Sequence, residues 1–219
     1  MQGNTEKQIA SLIDHTILKA DASAREIEAY CAEAIQHGFC SVVVNPIHVR
    51  RVADALRGTN VRAASVIGFP LGGNVPALKV KETEIALEQG ADEIDVVIDL
   101  GAMADGRYAD VESELKAVRK ASQGKIMKVI IEACLLTDEG KIAASSISAA
   151  TGADLVKTST GFSTGGATVD DIGLIRRTVG PEIGIKASGG IRTRETALRM
   201  LDAGATRIGS SVGPLLLQL

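Results

Sequence analysis

Four junctions at which a helix ends on glycine and a strand begins divide the chain at regular intervals. They are Gly38-Phe39, Gly90-Ala91-Asp92, Gly152-Ala153-Asp154 and Gly204-Ala205-Thr206. Glycine is common where helices end because it adopts a left-handed backbone without steric cost. The four glycines are spaced 52, 62 and 52 residues apart, so each interval has room for two strand–helix units. Four such doublets predict eight units.

Eight short, mostly apolar runs rich in β-branched residues predict strands. They are residues 12–18, 41–44, 62–67, 93–100, 126–133 and 207–209, together with the runs that hold Lys157 and Lys186. Amphipathic stretches between them predict helices. These are a short leading helix at 5–10, a helix that begins at a capping box of Ser23 and Glu26, and helices at 47–56, 75–89, 108–121, 137–150, 168–179 and 193–203.

Continuous apolar strands that alternate with helices indicate a parallel sheet covered on both faces. Eight repeats favour closure into a (β/α)8 TIM barrel of the α/β class, with one domain over residues 1–219. An open, doubly wound sheet is the alternative. It is disfavoured because no G-x-G-x-x-G sequence follows the first strand.

Composition narrows the functional classes. The formal net charge is −3 and only 2% of residues are aromatic, which disfavours nucleic-acid binding. No apolar run approaches the ~20 residues of a membrane span. The three cysteines form no C-x-x-C pair, which argues against a disulfide framework or a zinc ribbon, and the three histidines show no metal-ligand spacing. We expect a cytoplasmic protein without a membrane, nucleic-acid or metal partner.

Two lysines stand near the ends of neighbouring predicted strands, Lys157 before Thr158 and Lys186 before Ala187. A buried ammonium is costly, and a second ammonium nearby lowers its pKa further, which leaves an amine able to form a Schiff base. Asp95, in the fourth predicted strand, could move protons during such a reaction. A lysine whose stem packs while its head reaches water is the alternative for either residue alone.

Other polar residues within or just after strands belong to the same candidate set, because barrels carry their sites at the C-terminal ends of the strands. They are Asp14, Thr16, Asn45, Lys128, Glu132, Ser188, Ser210 and Ser211. For Lys128, Glu132 and Asp99 a structural ion pair is favoured over catalysis, and for His15 the role of a hydrogen-bonded strand residue is favoured over that of a base or ligand. Glycine-rich turns after strands seven and eight stand where barrels often bind phosphate through backbone N–H groups.

Seven motifs, in the same order, resemble those of the deoxyribose-phosphate aldolase family. They are Ile13-Asp14-His15-Thr16, Val44-Asn45-Pro46, Ile67 to Gly72, Glu93 to Val97, Lys128 to Glu132, Leu155 to Phe162 and Ile185 to Thr193. The resemblance covers nearly the whole chain. It implies a class I aldolase without a cofactor that reversibly cleaves 2-deoxy-D-ribose 5-phosphate to D-glyceraldehyde 3-phosphate and acetaldehyde.

The resemblance also implies residue roles. Lys157 would be the Schiff-base nucleophile, Lys186 the neighbour that lowers its pKa, and Asp95 the proton-transfer residue. The implied substrate-binding residues are Asp14, Thr16, Thr160, Gly161, Ser188, Gly189, Gly190, Gly209, Ser210 and Ser211. The expected partners are a phosphosugar, acetaldehyde and further copies of the chain in a dimer or tetramer.

Three departures from the family pattern qualify this interpretation. Val43 stands where many members have cysteine, and Phe162 stands where some have lysine, which removes one cation from the expected phosphate end. The chain stops at Leu219, without the longer tail of some relatives. Two alternatives stay open: an aldolase or isomerase for another phosphosugar, and a phosphosugar-binding barrel without chemistry. Lys157, Lys186 and Asp95 count against the second, because binding alone needs no desolvated lysine pair.

Overall fold

The computed structural model describes residues 6–218, and within them eight parallel strands close into a barrel. The strands are β1 (Ile13–Ile17), β2 (Ser41–Val44), β3 (Arg62–Ile67), β4 (Glu93–Val97), β5 (Ile126–Ile130), β6 (Leu155–Lys157), β7 (Gly184–Ser188) and β8 (Arg207–Ser210). Each strand pairs with the next in sequence, and β8 pairs with β1. The predicted (β/α)8 barrel is confirmed.

Helices surround the barrel, and all but the first of them lie between successive strands. They are α1 (Glu6–Ala10), α2 (Ala24–His37), α3 (Val49–Ala55), α4 (Pro76–Glu88), α5 (Leu100–Ala104), α6 (Tyr108–Ala121), α7 (Asp138–Ala150), α8 (Val169–Val179) and α9 (Arg194–Asp202). Short 3-10 turns lie at Pro46–His48, Ala133–Leu135 and Gly213–Leu217. No helix among residues 6–218 is long and apolar enough to cross a membrane.

Local sequence accounts for the ends of helix α2. The Ser23 side chain accepts a hydrogen bond from the Glu26 N–H, and the Glu26 carboxylate accepts one from the Ser23 N–H, as the predicted capping box requires. Gly38 ends the helix at φ 70°, in the left-handed region that favours glycine. The chain therefore leaves α2 in the direction that leads directly into β2.

Several predicted boundaries differ from the structure. Strands four and five end earlier than expected, at Val97 and Ile130. After β4, Asp99 accepts a hydrogen bond from the Ala102 N–H and starts helix α5, which the sequence analysis missed. After β5, Glu132 has a φ of 48°, which is incompatible with a strand. The predicted helix at 47–56 is a 3-10 turn followed by α3, and position 5 of the leading helix lies outside the described residues.

Alternation along the strands divides the core from the lumen. In β4, Ile94 and Val96 pack in the large apolar cluster between barrel and helices, while Glu93 and Asp95 make ion pairs inside the barrel. Side chains of a strand point to opposite faces in turn, so every second residue enters the lumen. The apolar outward face holds the helices, and the inward face is free to carry charge.

A buried ion pair outside the lumen joins helices α4 and α6 to the end of β4. Lys79 is fully buried, and its ammonium donates to the Val97 carbonyl at 2.8 Å and to the Glu114 carboxylate at 2.7 Å. A Cβ atom on Gly68 would lie 2.9 Å from Lys79 Cε, so glycine at that position leaves room for the lysine. The Lys79 side chain thereby connects the turn after β3 with the end of β4.

We predict that Lys79→Met lowers the free energy of unfolding by about 3–5 kcal/mol, because it leaves the Glu114 carboxylate buried and unpaired. Urea unfolding followed by circular dichroism measures the change. The double variant Lys79→Met/Glu114→Leu should regain most of the loss. Lys81→Met, in an exposed pair on the same helix, is the matched control and should leave the midpoint unchanged. An unchanged midpoint for Lys79→Met would contradict the prediction.

Candidate active site

Asp95 lies at the centre of a buried cluster of ammonium groups. Its Oδ2 atom is 2.8 Å from Lys157 Nζ and 2.8 Å from Lys186 Nζ, and its Oδ1 atom is 2.7 Å from Lys128 Nζ. The strand register explains the arrangement, since Asp95 pairs with Lys128 across β4 and β5, and Lys157 pairs with Lys186 across β6 and β7. Among the three predicted catalytic residues, Asp95 therefore contacts both Lys157 and Lys186.

A second layer of charges lies below this cluster. Asp14 contacts Lys186 Nζ at 2.5 Å and Arg207 at 2.7 Å. Glu93 contacts Lys128 Nζ at 2.6 Å and Arg207 at 3.3 Å. Among these buried groups the carboxylates of Asp14, Glu93 and Asp95 balance three cations other than Lys157. Protonating Lys157 adds a fourth cation to a network that is otherwise neutral.

The electrostatics distinguish the carboxylates from Lys157. Burial alone would raise the pKa of Asp95, but the ammonium groups of Lys128, Lys157 and Lys186 hold it well below its usual range. For Lys157 burial is the largest effect, and Lys186 acts in the same direction. They outweigh the opposing attraction of Asp95 and lower the Lys157 pKa to about 8. At pH 7 about a tenth of Lys157 is then neutral, against about one part in three thousand for a lysine at 10.5.

A cavity of about 430 Å³ opens above Lys157 at the C-terminal ends of the strands. Ten of the thirteen predicted site residues line it: Lys157, Thr16, Thr160, Gly161, Ser188, Gly189, Gly190, Gly209, Ser210 and Ser211. The other three, Asp95, Lys186 and Asp14, are fully buried beneath the cavity wall.

Asp14 therefore departs from the expectation that it lines the pocket. Its carboxylate accepts hydrogen bonds from Ser41 and Arg207, both at 2.7 Å, and contacts Lys186 from below. Asp14 is fully buried and does not line the cavity. Asn45, another early candidate, donates to the Leu18 carbonyl at 3.2 Å and is not part of the wall.

The hydroxyl groups of four predicted binding residues, Thr16, Thr160, Ser188 and Ser210, donate to the protein itself. Ser188 Oγ donates to the Ser159 carbonyl at 3.2 Å, and Thr16 Oγ1 donates to the Asp14 carbonyl at 3.0 Å. Thr160 Oγ1 donates to the Glu132 carboxylate, which also accepts the Thr160 N–H. These bonds hold the wall in place, and Glu132 has a structural role through hydrogen bonds from Thr160 rather than through the ion pair expected for it.

Backbone N–H groups supply the unpaired donors of the cavity. Those of Gly161, Gly189, Gly190 and Ser211 donate to no acceptor within the described part of the chain. The three glycines have φ values of 85°, 88° and 77°, where other residues are strained. Successive N–H groups in such turns form an anion-binding concavity. The geometry suits a phosphate group at the ends of β6, β7 and β8.

Gly209 has a different reason to be glycine. A Cβ atom at this position would lie 2.9 Å from Ser188 Cβ and 3.1 Å from Lys186 Cε. Gly209 lies within β8 and pairs with Ser188 across β7 and β8. Its missing side chain therefore leaves room for the Lys186 stem.

Several functional residues were missed by the sequence analysis. Glu93 and Arg207 belong to the charge network, and Glu93 could have been found because it stands two positions before Asp95 and so faces the same side of β4. Lys19 and Arg192 line the cavity, so cations reach its wall although position 162 is phenylalanine. Phe162 itself packs edge-on against Phe69, with ring centroids 5.3 Å apart. Residues 6–218 contain no cluster of three or more histidine, cysteine or acidic side chains that could hold a metal.

Comparison with known proteins places this chain in one family. A family model described as DeoC/LacD family aldolase matches residues 8–216. The chain belongs to the DeoC/LacD family of aldolases. Among family members with curated names, a deoxyribose-phosphate aldolase of Geobacillus sp. (strain WCH70) is 55% identical over 209 residues, covering 95% of this chain and 94% of the relative. One of Streptococcus uberis (strain ATCC BAA-854 / 0140J) is 55% identical over 206 residues, or 94% of each chain.

A solved structure from the same family agrees with the fold. The tetrameric deoxyribose phosphate aldolase of Aeropyrum pernix superposes with a TM-score of 0.91 at 35% identity, covering 97% of this chain and 91% of that one. The family match spans all eight strands of the barrel and every residue of the buried network.

We predict that Lys186→Met raises the pKa of Lys157 by about one unit or more, because it removes a cation and leaves Asp95 less neutralised. The rate at which acetic anhydride acetylates Lys157, mapped by mass spectrometry across a pH series, reports this pKa without requiring activity. The midpoint should be near 8 in the unsubstituted protein and higher in the variant. Lys125→Met, at the opposite end of the barrel, is the control. A midpoint that stays near 8 in Lys186→Met would show that Lys186 does not set this pKa.

Proposed function

We propose that this aldolase reversibly cleaves 2-deoxy-D-ribose 5-phosphate to D-glyceraldehyde 3-phosphate and acetaldehyde through a Schiff base on Lys157. The single observation that carries the proposal is a buried lysine of lowered pKa that contacts a carboxylate at the floor of a cavity with unpaired N–H donors. The similarity to relatives named deoxyribose-phosphate aldolase supports this choice of substrate.

In the proposed reaction the neutral amine of Lys157 attacks the C1 aldehyde of the open-chain sugar. The carbinolamine loses water and becomes an iminium ion, whose positive charge draws electrons from the C2–C3 bond. As that bond breaks, the C3 hydroxyl loses its proton and becomes the aldehyde of glyceraldehyde 3-phosphate, which leaves an enamine on Lys157. Protonation of the enamine at C2 and hydrolysis release acetaldehyde and restore the amine.

Asp95 has two roles in this proposal. In the free protein and in the iminium its carboxylate stays ionised beside cations and stabilises the positive charge on the Lys157 nitrogen. When the enamine forms, that charge disappears, and one of the causes that hold the Asp95 pKa low is removed. Asp95 can then accept and return a proton, with Lys186 in contact with the same Oδ2 atom.

The unpaired N–H groups of the cavity are proposed to bind the 5-phosphate. They lie on turns after three different strands, and glycine at positions 161, 189 and 190 lets the backbone approach the anion closely. Binding the phosphate here fixes one end of the sugar while Lys157 reaches the other. Thr16, Thr160, Ser188, Ser210 and Asp14 then act by shaping the wall and the layer beneath it.

The proposal extends to the assembly, the domain and the compartment. A homo-oligomer, either a dimer or a tetramer, is supported by the tetrameric relative from Aeropyrum pernix and by the exposed apolar side chains of Ile47, Leu71, Val75 and Leu78. Light scattering coupled to gel filtration measures its mass.

Residues 1–219 are proposed to form one domain. A reducing cytoplasm fits the three free cysteines.

We predict that Lys157→Met lowers the rate of deoxyribose 5-phosphate cleavage by about 10³-fold or more, because the nucleophile is lost while the barrel remains. Acetaldehyde release measures the rate, and circular dichroism checks the fold. Lys141→Met, in an ion pair on the outer helices, is the control and should keep full activity. Retention of activity in Lys157→Met would refute the mechanism. Cleavage of a different phosphosugar, with none of deoxyribose 5-phosphate, would refute the proposed choice of substrate.

A further inference from the structure

The turn after β8 is held by a chain of hydrogen bonds that starts on an outer helix. The Tyr30 hydroxyl, on α2, donates to the Ser211 carbonyl at 2.9 Å. The Val212 N–H donates to Ser210 Oγ at 3.2 Å, and Ser210 Oγ donates to the Ile191 carbonyl at 2.8 Å. These hydrogen bonds thus link α2 to the turn after β8, and that turn to the turn after β7.

These hydrogen bonds fix both the carbonyl and the N–H of one peptide unit. The Ser211 carbonyl and the Val212 N–H belong to the same planar unit and point in opposite directions. Tyr30 binds the first, and Ser210 binds the second. With β8 fixed on the other side, the conformation of Ser211 is restricted, and so is the direction of its own unpaired N–H on the cavity wall.

Tyr30 is itself held in place. Its ring stacks on the His15 ring with centroids 4.2 Å apart and an angle of 13° between the planes. His15 is buried and pairs with Glu33, also on α2, at 2.7 Å. These contacts hold the Tyr30 ring in place while its hydroxyl donates to the Ser211 carbonyl. Tyr30 also lines the cavity.

We propose that Tyr30 is a positioning residue that aims the Ser211 N–H at the substrate phosphate. This inference rests on the proposed function, which puts the phosphate at the turns after β6, β7 and β8. Within the described part of the chain, Tyr30 makes no hydrogen bond or ring contact with Lys157, Lys186 or Asp95, so its loss should weaken binding of the phosphate without slowing the chemistry at the other end of the sugar.

Tyr30→Phe tests the proposal because it keeps the ring on His15 and removes only the hydroxyl. The KM for deoxyribose 5-phosphate should rise about 5- to 10-fold with kcat unchanged, the effect of one lost hydrogen bond. Cleavage of unphosphorylated 2-deoxyribose should not change. Ser210→Ala, which breaks the same chain at its other end, should reproduce this pattern. Tyr108→Phe, the other tyrosine of the chain, lies on α6 and is the matched control.

Calorimetric titration with inorganic phosphate separates this inference from the proposed function, because it requires no turnover. The affinity for phosphate should fall by the same factor in Tyr30→Phe. If the unsubstituted protein binds phosphate but does not cleave the sugar, the proposed substrate is wrong while the positioning role can still be measured. Equal phosphate affinity in Tyr30→Phe and the unsubstituted protein would overturn the role of Tyr30, as would equal losses with both sugars.

Discussion

The contact between Asp95 and three ammonium groups is the interaction on which the site depends. Ion pairs taken out of water are stable only when each charge is well compensated. Among residues 6–218, Lys128, Lys186 and Arg207 each contact at least two buried carboxylates, whereas Lys157 contacts Asp95 alone. Lys157 is therefore the cation whose proton is least stabilised. The network as a whole selects it as the neutral amine.

The strand register of the barrel, and the alternation of side chains between its outer face and its lumen, place the charges that make Lys157 the least compensated cation. Asp95 pairs with Lys128 and Lys157 pairs with Lys186 across neighbouring strands, and the Asp95 carboxylate contacts all three ammonium groups in the lumen. Asp14 and Glu93 belong to the layer below, where Arg207 joins them. Gly209 leaves the space that the Lys186 stem occupies. Above this layer the wall ends in turns with unpaired N–H groups, so Lys157 and these donors share one opening.

The sequence predicted the barrel because its signals are local and repeated: glycine at helix ends and apolar runs of strand length. Two strand ends were placed too late because an apolar pattern does not reveal a helix cap such as Asp99 or the backbone turn at Glu132. Lys157, Lys186 and Asp95 are recognisable in the sequence because each is a charged residue in an otherwise apolar strand, where a buried charge needs a partner. That reasoning gives the strand of a residue and not its depth in the lumen. Asp14, which the family resemblance implied at the wall, is fully buried in the layer below.

Other features depend on contacts between distant parts of the chain. The hydroxyl of Ser210 looked available for a ligand, but it donates to the Ile191 carbonyl across two turns. In the sequence, nothing distinguishes Tyr30 from an ordinary residue on a helix surface. Only the closed barrel brings it beside Ser211, 181 positions later. Such partners carry no periodic signal, so no pattern in the sequence could have indicated them.

The most direct test of the central claim is reduction with borohydride in the presence of acetaldehyde, followed by peptide mass mapping. If the buried network makes Lys157 the nucleophilic amine, the reduced adduct will be an ethyl group on Lys157, formed near neutral pH and ahead of the exposed lysines. An adduct on Lys186 or on surface lysines, with Lys157 unmodified in folded protein, would contradict the account.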